Sequence, residues 1–506
     1  MANKILSAAV IGLNVDLVEV EAEAVNGDLG SIIIVGLPDA AVSESKERVR
    51  TAIKNSDLNF PVRKVVINLA PADLKKHGPA YDLPIAVSIL SLKNNFKIDF
   101  KTSLFVGELS LDGVVRPING ALAIALKAKE IGIKMLFLPE KNAAEAKMVG
   151  NDLEIIPVHS LAKLFLHLKG IEKIKAQEAV PFNFCNDKTP FDMAHVCGQE
   201  SVKRVLEIAA AGAHNILMFG PPGSGKTLMA KTMLSILPKF SMDEALEVTK
   251  IYSVAGELKN GEPLVFSRPF RAPHHTSSSV SLVGGGTWPR PGEISLAHRG
   301  ILFLDEFAEF PRVVLENLRQ PLEDGVINVS RAQGRLKFPA KFILVAAMNP
   351  CPCGYYKDRD RTCTCSEKQI ANYRRKISGP ILDRIDLHVE VPRLEFSKLN
   401  QVSDGETSDN VKTRVEAARA IQLERFAGQP FLNNAEMNSQ AVYKYCPIDV
   451  PSQRLMASAM EKMKLSVRSY FRILKLARTI ADLEGEGNIL LKHLAEALQY
   501  RPSLED

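Results

Sequence analysis

Residues 215–234 read NILMFGPPGSGKTLMAKTML, and this stretch decides the fold. Four apolar residues, Ile216–Phe219, run into Gly220-Pro221-Pro222-Gly223-Ser224-Gly225-Lys226-Thr227, and an amphipathic helix follows. A G-x-x-x-x-G-K-[ST] segment between a strand and a helix is a phosphate-binding loop in the context it needs. The glycines let backbone N–H groups close around phosphate oxygens. Lys226 is placed to reach the β and γ phosphates, and Thr227 to hold Mg²⁺. A glycine-rich turn that merely joins a strand to a helix has no use for the lysine and the hydroxyl together.

Working outward, RGILFLDEF (299–307) supplies a second buried strand, Ile301–Leu304, ending in Asp305 and Glu306. Beside a phosphate loop, Asp305 is expected to bind the Mg²⁺ shell. Glu306 is expected to orient or deprotonate the attacking water. A third strand, KFILVAAMNP (341–350), ends in Asn349, which can hydrogen-bond the same water and report on the γ-phosphate.

The chain has 506 residues, which at roughly 150 per domain suggests about three domains. Hydrophobic residues make up 46%, charged residues 24%, and the formal charge is +6. This balance suits globular cores and permits a polyanionic partner without demanding one. No run approaches the ~18 apolar residues of a membrane span. The start, MANKILSAAVIGLNVDLVEVEAEAV, mimics a signal peptide through Lys4 but runs into Asp16 and an alternating pattern, which reads as a strand. The protein is therefore expected to be cytoplasmic. Residues 1–170 alternate strand and helix patterns, and 171–190 read as a linker. Residues 191–395 form an α/β core, and 396–506 are helical after the polar break NQVSDGETSDN (400–410).

The order of these motifs resembles the AAA+ ATPases, and within them the magnesium-chelatase-like branch that includes the ComM/YifB family. Further segments carry the likeness across nearly the whole chain: GLPDAAVSESKERVR (36–50), FRAPHHTSSSVSLVGGG (270–286), RQPLEDG (319–325), MNPCPCGYY (348–356), SGPILDRIDLHVEV (378–391) and SVRSYFRILKLARTIADL (466–483). The resemblance implies a homo-oligomeric ring, hexameric, with ATP and Mg²⁺ bound between subunits and a C-terminal helical lid. It makes Arg384 the arginine finger and Arg468 the sensor-2 arginine, with Arg472 the nearby alternative. It also implies helicase and branch-migration activity on single-stranded or branched DNA during transformation and recombination. Magnesium-chelatase motors share most of these motifs. A motor that remodels a protein partner without DNA is therefore the alternative.

The N-terminal segment FVGELSLDGVVRPINGALAIALKAKEIG (105–132) resembles the proteolytic domain of Lon proteases, a ribosomal-S5-like α/β fold. Those peptidases use a serine activated by a lysine. Here the serine position of Gly78-Pro79-Ala80-Tyr81-Asp82 is Ala80, and the lysine position is Leu122. Lys127 and Lys129 lie nearby, but a base without a nucleophile cannot cleave a peptide. A binding or assembly platform is the remaining expectation.

Four of the seven cysteines fall in CPCGYYKDRDRTCTC (351–365). Cys351, Cys353, Cys363 and Cys365 can present four thiolates to Zn²⁺, form a redox-sensitive cluster, or stay unligated. Cys185, Cys197 and Cys446 read as packing residues. Two further segments suit a ring pore. HHTSSSVSLVGGGTWPRPGEIS (274–295) is rich in Gly, Ser and Pro, and its Trp288 either stacks a base or packs. GVINVSRAQGRLKFPAKF (325–342) reads as a hairpin turning at Gln333-Gly334, with Arg331, Arg335 and Lys337 available to phosphates or to a neighbouring subunit.

Overall fold

The computed structural model describes residues 4–27, 30–179, 190–259, 262–286, 289–331, 334–358, 361–393 and 405–501. Cys185, Trp288, Gln333 and parts of both polar breaks lie outside the described residues, as do the side chains of Arg331 and Arg335. The chain divides into two units, 1–183 with 242–266, and 184–241 with 267–506. Among the described residues no helix is long and apolar enough to cross a membrane.

The first unit is built on a seven-stranded sheet. Its order is Ile32–Val35, Lys64–Ala70, Asn14–Val25, Lys4–Ile11, Ser103–Phe105, Met135–Pro139 and Glu154–Val158. Strand Asn14–Val25 pairs antiparallel with both neighbours, and the other pairs are parallel. Alternation decides which way it faces: Val18, Val20 and Ala22 are buried, Glu19 and Glu21 between them are half-buried, and Glu23 beyond them is exposed. Helices Ala40–Asn55 and Asp82–Ser91 cover one face with Val42, Val49, Leu83 and Val87. Helices Ala121–Glu130 and Glu140–Lys147 cover the other with Leu122, Ile124, Ala143 and Ala146. The sequence pattern suggests an uninterrupted α/β core from 191 onward. Instead the segment Met242–Phe266 leaves that core and packs with the first unit, because Leu246, Val254 and Leu264 find their apolar partners there.

The second unit holds a five-stranded sheet, ordered Phe270–Arg271, Ile301–Leu304, Ile343–Met348, Ile216–Phe219, Leu387–Glu390, all parallel. Parallel strands covered on both faces have no polar side to show, which explains why Ile343–Met348 is buried at every residue. The C-terminal helices share this core. Val411 and Val415 of Ser408–Arg425, and Ile473, Ala477 and Ile480 of Val467–Leu483, pack with Val202 and Leu206 of Glu200–Gly212. The 3.6-residue spacing of those side chains gives each helix one apolar face. Val326–Arg331 and Gly334–Pro339 form an antiparallel hairpin with Arg331 opposite Gly334, and Lys337 on it is exposed.

Candidate functional site

In a parallel α/β sheet, ligands bind beyond the carboxyl ends of the strands. Three adjacent strands end there in the residues singled out above. Ile216–Phe219 leads into the phosphate loop, which requires Gly220 on steric grounds: a Cβ there would lie 2.2 Å from the Val391 carbonyl oxygen. The loop ends on helix Lys226–Ile236. Lys226 is buried, and its Nζ donates to the carbonyls of Gly220 and Pro221 at 2.8 Å. Burial lowers its pKa, and the Asp305 carboxylate opposes that shift. Asn349 at the end of its strand brings Oδ1 to 3.4 Å from the same Nζ.

Thr227 Oγ1 donates to Asp305 Oδ2 at 2.9 Å, so the two oxygens expected to share Mg²⁺ already face each other. Hydroxyl and carboxylate oxygens are the donor set that Mg²⁺ prefers. Glu306 adopts a left-handed backbone, φ 51°, while its N–H donates to Asp305 Oδ1 at 2.9 Å. Its Oε2 lies 3.0 Å from His275 Nδ1, a contact the sequence did not disclose. The His274 ring lies against that of His275, centres 4.1 Å apart and planes tilted by 34°.

The candidate arginines stand elsewhere. Leu387 is in register with Ile216, the first residue of the phosphate-loop strand, so Arg384 lies before the opposite, amino edge of the sheet. Arg384 is 5% exposed and pairs with Glu323, and its Nη1 donates to the Pro380 carbonyl at 2.7 Å. Arg468 reaches the other oxygen of Glu323 at 3.1 Å. Arg472 donates to the Arg384 carbonyl at 2.8 Å and pairs with Asp386. Burial pushes the Glu323 carboxyl up, but Arg384, Arg468 and Arg472 outweigh it and hold it below the usual range. Glu323 is therefore the hub of a second polar cluster, at the far edge of the sheet from the phosphate loop.

The four sulfurs of Cys351, Cys353, Cys363 and Cys365 lie within 4.8 Å of one another. Cys351 is 3.4 Å from Cys353 and 3.7 Å from Cys363, and Cys353 is 3.6 Å from Cys363. Tetrahedral Zn–S bonds of ~2.3 Å set sulfurs about 3.8 Å apart. A disulfide needs about 2.05 Å, so the sulfurs are unbonded and spaced so that one metal ion could be held by all four.

The comparisons decide the family. Three family profiles match in succession: "Subunit ChlI of Mg-chelatase" over residues 18–142, "Magnesium chelatase, subunit ChlI" over 192–399, and "Magnesium chelatase, subunit ChlI C-terminal" over 405–501. Competence protein ComM of Haemophilus influenzae is 44% identical over 503 residues, 98% of this chain and 97% of that protein. The chain belongs to the ComM/YifB family of magnesium-chelatase-like AAA+ ATPases. The uncharacterised protein YifB of Salmonella typhimurium is 42% identical, covering 97% of this chain and 96% of its own length. Membership in the ComM/YifB family supports ATP hydrolysis with ATP and Mg²⁺ as ligands, in a family whose members assemble into oligomers. A Lon protease of Methanosphaera stadtmanae is 28% identical over 168 residues, 32% of this chain and 19% of that protein. Leu122, read from the sequence as the lysine position, is fully buried, and its N–H donates to Glu145 Oε1 at 2.9 Å.

Proposed function

We propose that this chain is a cytoplasmic, ring-forming, hexameric ATPase that couples ATP hydrolysis to movement along single-stranded or branched DNA, with helicase and branch-migration activity in natural transformation and recombination. The observation that carries the reading is the split between two polar clusters. Lys226, Thr227, Asp305, Glu306 and Asn349 gather at one edge of the sheet, while Arg384 and Arg468 gather at the other. One protomer alone cannot bring Arg384 to its own phosphates. A head-to-tail neighbour can, and heterologous contacts of that kind close into rings.

In such a site the phosphate-loop backbone from Gly220 to Gly225 cradles the phosphates and Lys226 neutralises them. Thr227 and Asp305 would hold Mg²⁺, which supplies further charge neutralisation when bound. Glu306 accepts the proton of the attacking water, and Asn349 holds that water. Arg384 and Arg468 of the next subunit stabilise the charge that develops on transfer. DNA is the partner that the exposed Lys337 hairpin and the kinship to a competence protein favour. The Cys351, Cys353, Cys363 and Cys365 cluster is read as a zinc site.

Arg384→Ala should leave ATP affinity near that of the parent and lower turnover by ~10³ or more, the usual loss when an arginine finger is removed. ATPase rates and strand displacement, measured with and without single-stranded and branched DNA, test the motor. Stimulation by DNA with unwinding is expected. No stimulation and no displacement would transfer the reading to a chelatase-type motor acting on a protein partner.

A further inference from the structure

We propose that the metal held by Cys351, Cys353, Cys363 and Cys365 is a strut of the nucleotide site, fixing Asn349 and the phosphate loop against each other. The proposal rests on the zinc reading given above and adds to it a role in nucleotide binding.

The chain path carries the argument. Cys351, fully buried, comes two residues after Asn349, whose Oδ1 faces Lys226. Gly354 follows Cys353 with φ +85° and returns its N–H to the Cys351 carbonyl at 3.0 Å. A Cβ at Gly354 would stand 2.6 Å from Cδ of Pro222, inside the phosphate loop. The knuckle therefore rests directly on the loop that cradles phosphate. On its far side Cys365 is followed at once by Ser366, which caps helix Glu367–Arg374 through a reciprocal capping box with Gln369. That helix brings the buried Tyr373 back beside the backbone N–H of Asn349. The segment thus leaves Asn349, passes the four sulfurs and returns to Asn349.

The segment has little apolar core of its own. Among the described residues from Cys351 to Ser366, only Cys351 and Gly354 are buried. A loop with so small a core has no hydrophobic means of offsetting its ordering entropy. A structural zinc site supplies folding free energy where a core is small, and a tetrathiolate is one of its ligand sets.

The test uses the full chain, purified without chelator. Zinc is counted by elemental analysis, binding of a fluorescent ATP analogue is titrated, and folding is followed by circular dichroism. Two variants are compared with the parent: the double variant Cys353→Ser, Cys365→Ser, and Gly354→Ala, which keeps every thiol but presses on Pro222. We expect about one zinc per parent chain, the amount a single tetrahedral site holds. The double variant should lose zinc and bind the analogue at least ~10-fold more weakly, a loss of about 1.4 kcal/mol. Gly354→Ala should keep zinc and show weakened binding as well. A folded, zinc-free double variant with parental affinity overturns the strut and leaves the zinc site standing. Should the double variant fail to fold, parental affinity in zinc-loaded Gly354→Ala overturns it. A parent without zinc overturns the zinc reading and the strut together.

Discussion

His275 touches Glu306, the carboxylate proposed as the base. Its Nδ1 sits 3.0 Å from Glu306 Oε2, so it fixes which way the proposed base points. Removing that contact should leave nucleotide affinity intact and misplace the base. We expect His275→Ala to lower kcat by ~10²-fold with little change in KM, since small errors in catalytic geometry cost about that much. His275→Asn, which keeps a donor, should recover part of the loss. Equal kcat in parent and His275→Ala, measured by steady-state phosphate release, would remove His275 from the site. Residues of the phosphate loop and of the Asp305-Glu306 pair were legible because their chemistry sits at fixed spacing beside apolar strands. Glu323 and His275 were not. Each meets its partner across a long stretch of chain, Glu323 with Arg384 and Arg468, His275 with Glu306, and no local pattern marks such a meeting.

At the scale of elements, alternation in Asn14–Val25 and unbroken apolar runs in Ile301–Leu304 and Ile343–Met348 revealed which strands have an open face and which are buried on both sides. The excursion of Met242–Phe266 was not legible. Its apolar residues announce that the helix Met242–Ala255 packs, but not which core receives it. The strand Leu387–Glu390, which sets the place of Arg384, also carries a pH-sensitive group. Burial, with the positive charge of Arg501 nearby, lowers the His388 imidazole to about 4. The folded value lies below the ordinary ~6.5 of an unfolded chain. The stabilisation that comes from keeping His388 neutral is therefore complete above about pH 6.5 and is lost as pH falls through 4. Thermal unfolding of the full chain should show a midpoint that declines between pH 6.5 and pH 4. His388→Gln should flatten that decline. An unchanged decline in the variant would assign the acid sensitivity to other groups.

For the whole molecule, the central claim is that each catalytic site is assembled from two copies of the chain, with Glu306 given by one and Arg384 by the next. Composition and charge were silent on this. The observation behind it is the register that puts Arg384 and the phosphate loop at opposite edges of one sheet. The most direct measurement is ATP turnover by mixtures of Glu306→Gln and Arg384→Ala proteins, each inactive alone. In a randomly mixed equimolar ring, about one junction in four pairs an intact Glu306 with an intact Arg384, because heterologous contacts use one surface from each partner. The account predicts that the mixture regains about a quarter of the parent rate per chain. A mixture no more active than the average of its two components measured apart would contradict it.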